Sequence, residues 1–105
     1  MQNKVLGLLG ITAKAGKIVA GADIVKDLAQ RGKLRLVIVA EDASERTQRN
    51  MQMVCENNKV PIVTYCKMEE LSRAIGQKNR AVIGVKDKSL SAELLKQISG
   101  GDFVG

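Results

Sequence analysis

Apolar residues recur at two different spacings along this chain, and the alternation between them predicts a series of helices and strands. Stretches with the three- to four-residue spacing of an amphipathic helix cover residues 4–15, 22–31, 44–58, 68–75 and 90–98. Shorter apolar runs that predict strands lie between them, at residues 17–19, 35–40, 60–65 and 81–85. Because helices and strands alternate throughout, we expect a three-layer α/β/α sandwich with a mostly parallel or mixed sheet.

The run of residues 35–40 is apolar at almost every position instead of alternating. Such a strand is buried on both faces, which indicates helices above and below the sheet. The helix that follows has Asp42 three residues before Glu45, a spacing typical of a capping box, so we expect it to begin there. Pro61 stands near the start of the next strand, where a missing N–H is tolerated best.

The length of 105 residues is that of a single domain. We expect residues 1–99 to form it and the glycine-rich residues 100–105 to be a flexible C-terminal tail. No apolar run approaches the roughly 20 residues that span a bilayer, and the first residues lack a signal-peptide pattern. The sequence therefore predicts a cytoplasmic protein without a membrane partner.

The composition excludes several kinds of chemistry within this chain. Without a histidine, it cannot form a Ser-His or Cys-His pair or a histidine-ligated metal site. Cys55 and Cys66 are too few to complete a tetrahedral zinc site. The segment 10–18 has five residues between its glycines and Ile18 after the lysine, so it is not a phosphate-binding P-loop. We expect no metal, no cofactor, no small-molecule substrate and no enzyme activity.

One carboxylate pair, Glu41 and Asp42, follows a buried strand, where ligands of open sheets gather. The pair could hold a divalent ion or act as acid and base. The competing interpretation is that Asp42 caps a helix and Glu41 is a solvated loop residue.

The net charge of +6 indicates a polyanionic partner. Residues 1–35 carry a net +5 and residues 71–105 a net +3, whereas residues 36–70 carry −2. If the fold brings the two ends of the chain together, the lysines and arginines around Gly21 and in the loop 77–80 form a single basic patch. With one Tyr and one Phe, the chain cannot bind RNA by stacking bases on aromatic rings, which favours a folded RNA over a plain single strand.

The residues also resemble those of the kink-turn RNA-binding ribosomal protein superfamily, the L7Ae-like proteins, and within it the bacterial YlxQ branch. The resemblance covers nearly the whole chain. It rests on Lys14-Ala-Gly-Lys17, Gly21, Arg31-Gly32, Leu36-Val-Ile-Val-Ala-Glu-Asp-Ala-Ser-Glu45, Cys55-Glu56, Asn58-Lys-Val-Pro61, Glu70-Leu-Ser-Arg-Ala-Ile-Gly76 and Ala81-Val-Ile-Gly-Val85. It implies a mixed four-stranded sheet, RNA as the partner, and association with the ribosome, ribosomal proteins or another ribonucleoprotein.

In kink-turn binders the helix after the first strand begins with Gly, a small residue, Asn and Glu, and has Lys three positions later. Here Gly21 and Ala22 match, whereas Asp23, Ile24 and Asp27 replace the Asn, the Glu and the Lys. The resemblance therefore implies an RNA-binding surface that is kept in outline, with kink-turn recognition weakened or retargeted. The residues expected to contact RNA are Lys14, Lys17, Gly21, Ala22, Asp23, Lys26, Arg31, Lys33, Gln77, Lys78, Asn79 and Arg80.

A second function stays open at this point: a protein–protein adaptor in the translation or transcription machinery. It would use the face of the helix at 44–58 that carries Arg46, Arg49, Met53 and Glu56. An exposed methionine on that face would favour it.

Overall fold

The computed structural model of the chain describes residues 3–99, so the tail predicted at 100–105 lies outside the described residues. The helices are α1 (Lys4–Lys14), α2 (Ala22–Gln30), α3 (Glu45–Asn58), α4 (Met68–Ala74) and α5 (Lys88–Ser99). The strands are β1 (Ile18–Ala20), β2 (Leu36–Val39), β3 (Ile62–Thr64) and β4 (Val82–Val85). Each element predicted from the apolar pattern is present, and most strands are shorter than predicted.

The four strands form one mixed sheet in the order β1-β4-β2-β3. β4 runs antiparallel to both of its neighbours, and β2 and β3 are parallel. The central strands β2 and β4 are buried at every position, as expected for strands covered on both faces. The expectation of a mixed four-stranded sheet is confirmed.

Successive residues of β2 enter two different cores, one on each face of the sheet. Leu36 and Ile38 pack with residues of α1, α4 and α5, including the fully buried Leu9 and Leu71. The intervening Val37 packs against the layer formed by α2 and α3. This period-two division is the physical basis of the predicted three-layer α/β/α sandwich.

The start of α3 differs from the prediction. Ser44, not Asp42, caps the helix, because its Oγ accepts a hydrogen bond from the N–H of Thr47 at 3.1 Å. Asp42 lies outside the helix and accepts from the N–H of Met68, at the start of α4, at 2.8 Å. The capping box predicted for Asp42 and Glu45 is therefore wrong, and Asp42 instead joins the starts of two helices.

The strand directions give the sheet two distinct ends. At the Gly21 end, β1, β2 and β3 finish and β4 begins, so that Gly21 and Arg80 both lie there. At the Lys17 end, β1, β2 and β3 begin and β4 finishes, so that Lys17, Arg35 and Lys86 lie there. The domain measures 34 × 26 × 26 Å. Within residues 3–99, each helix is too short or too polar to span a lipid bilayer.

The packing predicts opposite effects for two glycine-to-alanine substitutions. A Cβ at Gly84 in the central strand would lie 2.8 Å from Leu34 Cδ1 and 3.3 Å from Val19 Cγ2. Gly84→Ala should therefore lower the free energy of unfolding by about 1–3 kcal/mol through overpacking. A Cβ at Gly7 in α1 meets no atom within 4 Å, so Gly7→Ala should raise it by about 0.5–1 kcal/mol. Urea denaturation followed by circular dichroism measures both, and a shift of the same sign in both variants would contradict this packing.

Candidate nucleic-acid interface

The start of α2 presents unpaired backbone donors at the Gly21 end. Gly21 precedes the helix with φ of 116°, a conformation that side chains other than glycine rarely adopt, and no side chain caps the helix. Its own N–H donates to the carbonyl of Val82 at 2.8 Å, which ties the start of the helix to β4. Within the described part of the chain, the N–H groups of residues 22–24 have no acceptor. These donors and the helix dipole make this point favourable for an anionic ligand.

The side chain of Arg80 lies directly beside this helix start. A Cβ built on Gly21 would be 3.4 Å from Nη1 of Arg80, so the glycine leaves just enough space for the guanidinium. Ser72 holds the backbone of Arg80 in place: its buried Oγ accepts from the Arg80 N–H at 2.7 Å and donates to the Arg80 carbonyl at 3.2 Å. A single buried hydroxyl thus fixes the position from which the guanidinium reaches Gly21.

The rest of the loop between α4 and β4 is exposed and polar. Gln77, Lys78, Asn79 and Arg80 are all exposed, and Asn79 adopts φ of 58°, a left-handed conformation that asparagine tolerates better than most residues. The N–H of Gln77 donates to the Ser72 carbonyl at 2.9 Å, so the loop is anchored at both ends on one residue. Its four side chains can therefore contact a ligand from a fixed backbone.

Two further predicted residues, Lys14 and Lys26, border this region. Lys14 ends α1 and lines a shallow groove with Arg73 and Gly76, next to the loop 77–80. Lys26 is exposed on α2, one turn beyond Ala22 and Asp23, and lines a groove of about 520 Å³ between α2 and α3. Lys26 therefore lies one turn along α2 from the helix start, whereas Lys14 lies beside the end of α4 that precedes the loop.

The remaining predicted residues lie elsewhere. Lys17 precedes β1, and Arg31 and Lys33 follow α2, so all three lie at the Lys17 end. Arg31 is also paired with Asp27, with 3.2 Å between Nε and Oδ2. The structure does not gather these cations around Gly21, because β1 and α2 each run from one end of the sheet to the other and these three residues lie at the opposite ends of those elements. That they contact RNA stays a prediction.

Acidic residues balance the basic ones at the Gly21 end. The segments 21–24, 40–50 and 65–81 contain six acidic and six basic residues. Arg49, Lys67 and Arg73 form ion pairs with Glu45, Glu41 and Glu69 at 3.6, 3.8 and 3.5 Å. Within residues 3–99, Arg46, Lys78 and Arg80 have no such partner. The unpaired positive charge here is therefore confined to Arg46 on α3 and to the loop 77–80 beside the helix start, and is not a property of the whole end.

The carboxylate pair that follows β2 is used structurally. Glu41 pairs with Lys67, and Asp42 caps α4. Across residues 3–99, no group of three or more His, Cys, Asp or Glu side chains converges into a metal site. The alternative of an ion-binding or acid–base centre at Glu41 and Asp42 thus gains no support from the geometry.

Cys66 lies beside these carboxylates. Burial, followed by the charges of Glu70, Glu41 and Asp42, raises the pKa of its thiol to about 12. Burial alone raises the pKa of the Cys55 thiol to about 11. Both thiols are therefore protonated near neutral pH and are poor nucleophiles.

Taken together, these elements define a three-layer α/β/α protein with a mixed sheet, in which an uncapped helix start and a basic loop lie together at one end of the strands. Residues 3–95 match the model of the ribosomal protein L7Ae/L30e/S12e/Gadd45 family. The chain belongs to this family, as the resemblance in the sequence indicated.

Individual relatives agree with this assignment. The chain is 35% identical over 91 residues to the RNA-binding protein YlxQ of Bacillus subtilis, an alignment that covers 84% of this chain and 88% of the relative. A solved structure of a protein of unknown function from Bacillus halodurans superposes with a TM-score of 0.90 at 35% identity, over 92% of this chain and 98% of the other. The Giardia lamblia 15.5kD RNA binding protein superposes with a TM-score of 0.76 at 26% identity, over 89% and 82% of the two chains. The likeness to YlxQ is the one that the sequence led us to expect.

The raised thiol pKa values predict a loss of stability in alkali. An unfolded thiol ionises near pH 8.5–9, whereas the folded thiols stay protonated to about pH 11 and 12. The contribution of the two thiols to the free energy of unfolding is thus fully present below about pH 8.5. It is lost as the pH rises further, because the unfolded chain can then form thiolates that the folded protein cannot. Cys66→Ser should show a smaller fall in urea midpoint between about pH 8 and pH 10.5 than the natural chain. An equal fall in both proteins would mean that the Cys66 thiol is not shielded.

Proposed function

We propose that this protein is a non-enzymatic RNA-binding protein of the ribosomal-protein type, which recognises a structured RNA at the Gly21 end. The observation that carries the proposal is the position of the Arg80 guanidinium beside Gly21. It places a permanent positive charge and the free backbone donors of a helix start on one surface. An RNA phosphate can accept hydrogen bonds from both at once.

The proposed interface has few means of reading bases. It offers backbone N–H groups, the cations of Lys14, Lys26, Lys78 and Arg80, and the side-chain amides of Gln77 and Asn79. Such groups bind phosphates and exposed base edges, which suits a folded RNA with a distorted groove. Phosphate contacts would supply most of the affinity, and the fixed shape of the loop and the helix start would supply selection.

The relatives support RNA as the ligand class. The family carries the name of ribosomal proteins, and both YlxQ and the Giardia protein are named as RNA-binding. By this likeness we place the protein in the cytoplasm, in association with the ribosome or another part of translation, where ribosomal proteins are the natural neighbours. Proteins of this type act by binding, which is why we propose no catalytic step.

The first residues of α2 argue against ordinary kink-turn recognition. Asp23 and Ile24 are exposed at the helix start, at the positions where kink-turn binders of the family have Asn and Glu. A carboxylate only accepts hydrogen bonds and repels phosphates, whereas an amide both donates and accepts. Asp27 pairs with Arg31 at the position of the family lysine. We infer that the RNA target differs from a standard kink-turn.

A protein-docking function is favoured by one observation: Met53 on α3 is 58% exposed and lines the groove between α2 and α3. The other residues of this groove are mostly polar, among them Asn50 and Asn57. An exposed methionine in a polar surround suits a protein partner. Affinity that does not change with salt concentration would favour this second function over RNA binding.

Arg80→Ala tests the interface directly. Loss of one phosphate contact should lower affinity for a ribosomal RNA fragment about tenfold at 0.1 M salt, and should reduce the slope of log affinity against log salt by about 1. Lys96→Ala is the matched control. Lys96 is an exposed cation on α5, which packs on the opposite face of the sheet from α2. Fluorescence anisotropy at several salt concentrations measures both. Equal behaviour of the two variants would place the RNA elsewhere.

Asp23→Asn tests the altered specificity. Replacing the carboxylate by an amide restores the donor and removes a negative charge, so affinity for a standard kink-turn RNA should rise about tenfold, the effect of one good polar contact. The gain should be smaller for a duplex RNA of the same length without the kink-turn. Should both RNAs gain equally, the carboxylate acts only through its charge. No gain for either would remove Asp23 from the interface.

A further inference from the structure

The Lys17 end carries most of the unbalanced positive charge of the protein. The segments 15–17, 27–35, 56–61 and 86–89 contain seven basic residues and three acidic ones. Of the seven, Arg31 is paired with Asp27. The six others form no ion pair within the described residues, and we call them the basic end: Lys17, Lys33, Arg35, Lys59, Lys86 and Lys88.

Two of these lysines stand directly opposite each other across the sheet. The register that pairs Ile18 with Val85 places Lys17 opposite Lys86, and the N–H of Lys86 donates to the Lys17 carbonyl at 2.8 Å. Arg35 is the next neighbour, since its N–H donates to the Val85 carbonyl at 2.8 Å. Like charges opposite each other in a sheet are destabilising. The fold therefore tolerates a local repulsion that an anionic ligand would relieve.

A shallow hollow continues this surface. Arg35, Lys59 and Lys88 line it together, with Ser91 among the residues between them. Ser91 is only 5% exposed, and its Oγ has no hydrogen-bond partner within the described part of the chain. Buried hydroxyls normally find a partner. An unsatisfied hydroxyl beneath three cations is a second sign of an anion-binding surface, independent of the charge count.

The three acidic residues of this end do not neutralise it. Asp27 is occupied by Arg31, and Asp87 accepts from the N–H of Leu90 at 2.8 Å as the cap of α5. Glu56 lies in the last turn of α3, one turn from Lys59. The basic end is thus held together by the fold without the counter-charges that flank the cations of the Gly21 end.

We propose that the basic end binds the phosphate backbone of a second RNA segment while the Gly21 end holds the first. The proposal rests on the proposed function and extends it, because the two ends are separated by the strands and α2. The strands between them are three or four residues long, and the two surfaces lie at their opposite ends. The protein then joins two segments of a folded RNA, or two RNAs, through opposite ends of one sheet.

The surface favours RNA over a membrane or an acidic protein. A membrane-binding surface combines cations with apolar side chains that insert between lipids. The exposed large hydrophobic residues of the described chain do not line the hollow at the basic end: Ile24 follows Gly21, Ile11 lies on α1 and Met53 on α3. The cations instead form a row and a shallow hollow, which suits the regular phosphate charges of an RNA duplex.

The experiment compares two variants that lose the same charge. Lys17→Gln with Lys86→Gln removes the opposed pair, and Lys4→Gln with Lys96→Gln removes two exposed lysines at the start of α1 and the end of α5. The probe is an RNA duplex of about 20 base pairs and arbitrary sequence, long enough for a shape-selective contact. Anisotropy gives its affinity and salt dependence. A bridging assay asks whether the protein captures the labelled duplex onto an immobilised ribosomal RNA fragment, the ligand used to test the Gly21 end.

The Lys17→Gln, Lys86→Gln variant (the basic-end variant) should bind the duplex at least tenfold more weakly at 0.1 M salt, and the slope of log affinity against log salt should fall by about 2. It should no longer bridge the duplex and the ribosomal RNA fragment. Its Tm should rise by about 2–5 °C, because the opposed charges are gone. The control variant should retain affinity within about twofold and should still bridge. A rise in stability together with a loss of binding is a result that a merely structural role of these lysines would not give.

Equal affinity and bridging in the two variants would overturn the proposal. So would the finding that polyglutamate or phosphatidylglycerol vesicles bind the basic end as tightly as the duplex, since the ligand would then be an acidic protein or a membrane. If the variant with Lys17→Gln and Lys86→Gln loses stability, the variant with Lys33→Gln and Lys88→Gln tests the basic end in its place. Both of these side chains are exposed and lie outside the strands. Unchanged binding in that pair would equally contradict the proposal.

Arg80→Ala separates this proposal from the proposed function. If Arg80→Ala weakens binding and the basic-end variant does not, the Gly21 end alone contacts RNA and the second site is wrong. If only the basic-end variant weakens binding, the interface at Gly21 is wrong. The proposal that the protein joins two RNA segments is then wrong as well. The proposal of two segments stands only when the basic-end variant weakens duplex binding, Arg80→Ala weakens binding of the ribosomal RNA fragment, and each abolishes bridging.

Discussion

The insertion of β4 between β1 and β2 is the constraint on which the rest of the structure depends. Because β4 runs antiparallel to both neighbours, its first residue brings the loop 77–80 to the end of β1 and its last residue brings Lys86 to the start of β1. The hydrogen bond from Gly21 to Val82 and the one from Lys86 to Lys17 are the two ends of this single pairing. One strand thus positions both surfaces proposed to contact RNA.

Much of the fold could be predicted because its signals are local. The unbroken apolar run of β2 predicts that this strand is buried on both faces. The helical spacing of Met51 and Cys55 predicts the buried face of α3. The strand order is non-local, so no periodicity reveals that β4 enters the centre of the sheet. The same limit explains the error at Asp42: the sequence showed a carboxylate three residues before Glu45, but only the fold brings the start of α4 within 2.8 Å of it.

The interface was harder to predict than the fold. Gly21 and the loop 77–80 were identified, but Ser72, which fixes the backbone of Arg80, carries no sequence signal beyond being a polar residue next to the inward-facing Leu71. Charge summed along the chain could not reveal that Lys17 and Arg80 lie at opposite ends of the paired strands β1 and β4. Segments of opposite net charge along the sequence say nothing about which strand end each residue occupies.

The two ends of the sheet differ in the way each could hold RNA, and the difference follows from their charge. At the Gly21 end, carboxylates pair with three of the six cations, so the proposed binding there depends on the placement of Arg80 and of a few backbone donors, which favours selectivity. At the Lys17 end six of the seven cations form no ion pair within the described residues, and electrostatic attraction to phosphates requires no particular sequence. In the proposed function, Asp23 disfavours a standard kink-turn at the first surface, whereas the second surface lies at the other end of β1 and α2. On this proposal, a change of specificity at one end would leave the affinity of the other end for RNA in place.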